Sequence, residues 1–200
     1  PYSSWASVTE VTADTESRRA AEPPAAPEPA VDAAHAPPPR HPNHRAPSAG
    51  AEITAAYPDG ELLVLGLLKG SFVFLADLVR EIQRPLHVDF LVASSYGHGT
   101  ISSGNVRLVY DPETKLEGKH ILLVEDIVDT GRTLSTLIEL LSARNPASIE
   151  ICALLHKHIA TELHHPTKFI GFDAPNEFLV GYGLDHAENF RHLPYVASLQ

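Results

Sequence analysis

The chain has no methionine, one cysteine and one tryptophan. A single cysteine, Cys152, has no partner for an intramolecular disulfide, which fits a reducing cytosol and a cytoplasmic protein. It lies in the apolar run 149–155, where a buried structural thiol is expected rather than a nucleophile. Basic charge is scarce, with 15 Lys and Arg against 25 Asp and Glu, a net charge of −10. A nucleic-acid surface would show a basic stripe, so no nucleic-acid partner is expected. No apolar run approaches the ~20 residues that cross a bilayer, so no membrane is expected either. No secretory signal is visible at the start. With proline first and methionine nowhere, the sequence reads as a fragment, a processed product or an unusual gene model.

Proline is plentiful but unevenly placed. Ten of the 17 prolines fall in the first fifty residues, in runs such as AEPPAAPEPA and HAPPPRHP. No period of 3.6 or 2 is sustained there, and such a composition cannot bury enough apolar surface to offset ordering entropy. Residues 1–48 are therefore read as a disordered tail with local polyproline conformation. Residues 49–200 are read as one folded domain. A hydrophobic fraction of 44% suits one core.

From there the pattern alternates. Residues 62–68 form an apolar strand ending at Lys69-Gly70. Phe72, Leu75, Ala76, Leu78, Val79 and Ile82 recur at helical spacing. Strands follow at 88–93, 106–110, 121–124 and 149–155, with a polar, glycine-rich loop at 94–104. Leu134, Leu137, Ile138 and Leu141 mark another helix face. Alternating strands and helices predict an α/β fold, a parallel sheet flanked by helices. Ligands in such sheets bind at the carboxyl ends of the strands. Lys69, residues 94–104, residues 125–133 and His156-Lys157 all fall at strand ends, which favours one shared site.

The richest stretch is ILLVEDIVDTGRTL, residues 121–134. Glu125 and Asp126 end a buried strand. Asp129 follows, then Thr130-Gly131-Arg132-Thr133 opens a helix. Backbone N–H groups and hydroxyls at a helix N-terminus bind phosphate. Paired carboxylates accept hydrogen bonds from a vicinal diol, or hold a cation that does. The combination suits a phosphorylated sugar.

This stretch resembles the 5-phosphoribosyl-1-pyrophosphate (PRPP) signature of the phosphoribosyltransferases. LLVLGLLKGSFVFLADLVREI, VDFLVASSYGHGTISSGNVRLVYD and GFDAPNEFLVGYGLDHAENFRHLPYV extend the likeness over about residues 51–199. Together the motifs resemble the hypoxanthine–guanine (6-oxopurine) phosphoribosyltransferases of the bacterial type. The resemblance implies a type I phosphoribosyltransferase fold with a small C-terminal hood, built here from residues 168–199. It implies purine salvage: transfer of 5-phosphoribosyl from PRPP to hypoxanthine or guanine, giving IMP or GMP and pyrophosphate, with Mg²⁺. It also implies a homo-oligomer, a dimer or tetramer.

Roles carried over by the resemblance are as follows. Glu125 and Asp126 hold the ribose hydroxyls, directly or through Mg²⁺, and Asp185 binds a second Mg²⁺. Asp129 faces purine N7 as proton acceptor or donor. Thr130, Gly131, Arg132 and Thr133 wrap the 5′-phosphate. Lys69 and Gly70 form a pyrophosphate loop, often with a non-proline cis peptide, and Arg191 contacts pyrophosphate. Ser95 and Tyr96 lie in a loop that closes over the reacting centre and excludes water. Lys157 donates to the purine O6, Phe178 stacks on the base, and the Leu179 backbone reads its edge.

Two features depart from the family pattern. His156 stands where an acid is usual. With His158, His164 and His165 it suggests a metal cluster. HKH lacks the His-x₃-His spacing that aligns ligands on a helix, so the cluster is read as binding no metal. A helix and short strand that complete the hood are also replaced by the Pro/Ala tract, with only residues 48–53 matching the helix end. An incomplete hood is expected. The other readings are an enzyme that prefers xanthine or another purine, a PRPP-fold regulatory nucleic-acid-binding protein, disfavoured by the negative charge, and an inactive product with an altered N-terminus.

Overall fold

The computed structural model describes residues 31–32, 46–95, 106–159 and 163–199. The elements run β1 (Val31–Asp32), α1 (Ala46–Ala56), β2 (Leu62–Leu68), α2 (Phe72–Glu81), β3 (His87–Ser95), β4 (Val106–Tyr110), β5 (His120–Val128), α3 (Arg132–Ser142), β6 (Ser148–Lys157), β7 (Thr167–Ala174), β8 (Phe178–Val180) and β9 (Ala197–Leu199).

Six strands form the main sheet in the order β4-β3-β2-β5-β6-β7. Every pairing is parallel except β3 with β4. Ten residues separate those two strands, fewer than the dozen or so that a parallel crossover takes. The carboxyl ends of β2, β3, β5 and β6 therefore share one edge.

Both faces of the sheet are buried, which is why the central strands read as unbroken apolar runs. Leu122, Val124, Cys152 and Leu154 pack against α1 and α2. Leu63, Ile121, Leu123, Ile149 and Ile151 pack against α3 through Leu134, Leu137, Ile138 and Leu141. Cys152 is buried, and burial pushes its thiol well above the usual range, as a structural role requires.

The face of α2 differs from expectation. Phe74, Leu75, Leu78 and Ile82 are buried, whereas Phe72 is exposed and Ala76 faces outward. Ser71, just before the helix, is buried, and its hydroxyl donates to the Leu67 carbonyl at 2.7 Å.

The N-terminal tract corrects the reading of residues 1–48 at two points. Helix α1 begins at Ala46, and Ala46, Ala49, Ile53 and Tyr57 follow its buried face. Pro47 is in the first turn, where a missing N–H costs nothing. Val31 and Asp32 pair antiparallel with Leu199 and Ser198 of β9. Residues 30–36 contain no proline, so the backbone donors for such pairing are present. The rest of the tract lies outside the described residues.

The hood is thus a three-stranded sheet, β1-β9-β8. It starts later than residue 168, because Thr167–Ala174 completes the main sheet beside β6. Tyr182 and Leu184 fasten the hood to the main core, and the Tyr182 hydroxyl bonds Asp77 of α2.

Candidate active site

Asp129 follows β5 and Lys157 ends β6, and the sheet brings them together. The Lys157 ammonium donates to Asp129 Oδ2 at 3.1 Å. Lys157 is buried, with 8% of its surface exposed. The Asp129 side chain is about half exposed, at 52%. A buried cation with one solvent-facing carboxylate partner offers a ligand both a donor and an acceptor.

A second group gathers at the ends of β2 and β5. The Leu68–Lys69 peptide is cis. Gly70 lies directly against the Asp126 carboxylate, which a Cβ there would overlap. Gly183 of the hood closes on the Gly70 carbonyl with φ +103. That angle and that closeness both require glycine, so the hood meets the loop after β2 backbone to backbone.

Charges converge on this contact. Arg191 pairs with Asp185 at 2.7 Å and with Glu188 at 3.4 Å, and donates to the Gly183 carbonyl at 2.9 Å. Lys69 reaches Glu188 at 3.0 Å. The Lys69 hydrogen bond, above all, holds the Glu188 carboxyl below its usual range. In the sequence nothing marks Glu188 beyond its place three residues after Asp185. In the fold it holds the two cations that are candidates for pyrophosphate.

The carboxylates of β5 are short of positive charge. Burial, then the Asp126 charge, pushes the Glu125 carboxyl well up. One Glu125 oxygen, Oε2, is buried without a hydrogen-bond partner. Burial raises Asp126 as well, Asp185 adds to this, and backbone donors and Arg191 oppose it. An oxygen-only set with an unpaired buried oxygen fits a hard cation such as Mg²⁺.

The loop 130–133 joins β5 to α3. Thr130 and Thr133 are exposed, and Arg132 is half-buried at the first position of the helix. Gly131 precedes it with φ +85, and a Cβ there would overlap Leu163. The Arg132 N–H donates to Thr130 Oγ1 at 3.5 Å, and the start of a helix carries backbone donors of the kind a phosphate cradle uses.

Phe178 opens β8 and is exposed, with 52% of its surface open. Its ring meets His186 edge-on, centroids 5.4 Å apart at 87°. His186 was another residue the sequence did not single out. Leu179 pairs with Ser198, and among the described residues β8 is an edge strand, which suits a ligand on the other side of its backbone. Ser95 ends β3, while Tyr96 lies outside the described residues.

The family model described as "Phosphoribosyl transferase domain" matches residues 48–187. The chain belongs to the phosphoribosyltransferase family. Within it the likeness is to the hypoxanthine and guanine branch. The hypoxanthine phosphoribosyltransferase of Salmonella typhimurium is 48% identical over 152 residues, 75% of this chain and 85% of that protein. The hypoxanthine-guanine phosphoribosyltransferase of Dictyostelium discoideum is 50% identical over 155 residues, 76% of this chain and 86% of its own. Among solved structures, a hypoxanthine phosphoribosyltransferase of Staphylococcus aureus superposes with a TM-score of 0.77 at 39% identity, covering 80% of this chain and 87% of that one. The phosphoribosyltransferase core of this chain is thus matched both in sequence and in fold. No helix among the described residues is long and apolar enough to cross a membrane.

Proposed function

We propose that the protein transfers 5-phosphoribosyl from PRPP to hypoxanthine or guanine, releasing pyrophosphate and forming IMP or GMP. The observation that carries this reading is the Lys157–Asp129 pair at 3.1 Å on the carboxyl edge of the sheet. Lys157 would donate to the purine O6. Asp129 would accept the N7 proton as N9 bonds to the anomeric carbon, its charge steadied by the same ammonium. Phe178 offers a ring for the base to stack on, and the open edge of β8 offers backbone groups to read it.

The sugar end of the site follows from the loops. The 5′-phosphate would rest on residues 130–133 at the start of α3. Glu125 and Asp126 would take the ribose hydroxyls. Lys69 and Arg191 would exchange Glu188 for the pyrophosphate oxygens as charge builds on the leaving group. Glu125, Asp126 and Asp185 are the residues that would hold Mg²⁺, which when bound offsets charge on the pyrophosphate. Ser95 is the last residue of β3, paired with Val106, rather than a loop residue as expected, so in this reading the closing loop would begin after it, at Tyr96.

The same proposal includes a cytoplasmic homo-oligomer, a dimer or tetramer. Val88, Phe90, Val109 and Tyr110 are exposed on β3 and β4, which supplies an apolar face for a second copy.

The test is nucleotide formation with PRPP, Mg²⁺ and each of hypoxanthine, guanine, xanthine and adenine. IMP and GMP are expected, and no AMP. Equal use of adenine and hypoxanthine would refute the role of Lys157. No product with any base would refute the function.

A further inference from the structure

Strand β6 ends in His156-Lys157, and His158 follows directly. Lys157 turns to Asp129, and His158, in the turn just past the strand, brings its imidazole beside that of His156. His-x-His is a poor spacing for ligands on a helix but brings them side by side here, where a strand end runs into a turn. The neighbouring strand supplies a third group. β7 runs parallel to β6 with Asp173 opposite His156. The ligand atoms of His156, His158 and Asp173 all lie within 4.8 Å of one another. His158 Nε2 is 3.6 Å from Asp173 Oδ1, and the two imidazole rings meet edge-on at 6.4 Å.

These separations are close to those of a coordinated ion. With metal–ligand bonds of about 2.0–2.2 Å, tetrahedral ligand atoms lie roughly 3.3–3.5 Å apart. The widest of the observed separations must therefore close by little more than an ångström. The side chains of His158 and Asp173 are 77% and 71% exposed, so rotation is enough. An ordinary surface ion pair would account for His158 with Asp173 but gives no reason for a second imidazole turned into the same space.

We propose that His156, His158 and Asp173 form a surface site for a divalent transition ion, of which Zn²⁺ is the leading case. Two imidazoles and one carboxylate favour zinc and its late first-row neighbours over Mg²⁺, which prefers oxygen. Three protein ligands leave one position to solvent, so the site is open in form. It uses none of the groups assigned above to PRPP, purine or Mg²⁺.

The test uses the full chain, stripped with a chelator and held in millimolar Mg²⁺ to occupy the oxygen site. Zn²⁺ is titrated by calorimetry, and Co²⁺ by its visible absorption. The wild type should take up one equivalent that His158→Ala and Asp173→Ala each weaken at least ~10-fold, since even outer-shell changes weaken metal sites by about 10- to 100-fold. The Co²⁺ spectrum should change with them. Thermal midpoint and nucleotide formation with Mg²⁺ should be unchanged in both variants, which shows that they fold. Failure of the wild type to bind Zn²⁺ in the micromolar range would overturn the proposal. So would an affinity that both substitutions leave unaltered, which would place the ion on other histidines of the chain.

Discussion

Replacing Lys157 with alanine should cost base recognition and little else. Lys157 is 8% exposed, and its ammonium donates to Asp129 Oδ2 at 3.1 Å. Stability should change little through the pair itself, because the Asp129 side chain is 52% exposed and solvent screens such pairs to about 0–1 kcal/mol. Purine binding is a different matter. A hydrogen bond from a charged donor contributes about 1.5–3 kcal/mol, which is roughly a 10- to 150-fold change. Lys157→Ala should therefore lower kcat/KM for hypoxanthine and guanine by that factor. KM for PRPP should hold, because the partner of Lys157 is Asp129, which is assigned to the purine and not to the phosphates. The assay is steady-state formation of IMP and GMP, with each substrate varied in turn and the thermal midpoint measured alongside. A loss shared equally between PRPP and purine would refute the reasoning, as would no loss.

Asp129→Asn should lower kcat by roughly 10²-fold or more, the usual scale of general acid–base work, with PRPP binding measured by calorimetry unchanged. Gly70→Ala forces a Cβ into the Asp126 carboxylate and should weaken PRPP binding and turnover together, by up to ~10²-fold for a displacement of about 1 Å. His186→Ala removes the edge-on partner of Phe178. Such ring pairs are worth about 0.5–1.5 kcal/mol, so purine KM should rise by a few-fold to about tenfold while PRPP is unaffected. Removing Pro1–Pro47 takes away β1 and the buried Ala46 and should lower the calorimetric thermal midpoint. An unchanged midpoint would mean that neither element supports the fold.

Much of this protein is legible in its sequence because the cause is local. The central strands are apolar throughout because both sheet faces are covered. Leu134, Leu137, Ile138 and Leu141 repeat at 3.6 because one side of α3 meets that sheet. Acids at the end of one strand, followed by Thr-Gly-Arg-Thr, mark a phosphate and sugar site without any long-range information. Average composition does not reveal the pairing of Val31 and Asp32 with β9, because strand pairing uses backbone groups that a short proline-free stretch possesses. Glu188 and His186 could not be found from the chain alone. Their meaning depends on Lys69, 119 residues away in sequence, and on a ring across a turn of the hood. Helical spacing gives His156-Lys157-His158 no shared ligand, and only the strand pairing of β6 with β7 brings Asp173 to it. Periodicity and turn chemistry act between neighbours in the chain and are written in its order. Convergence of charges from distant segments is set by sheet register and hood closure, which exist only once the chain has folded.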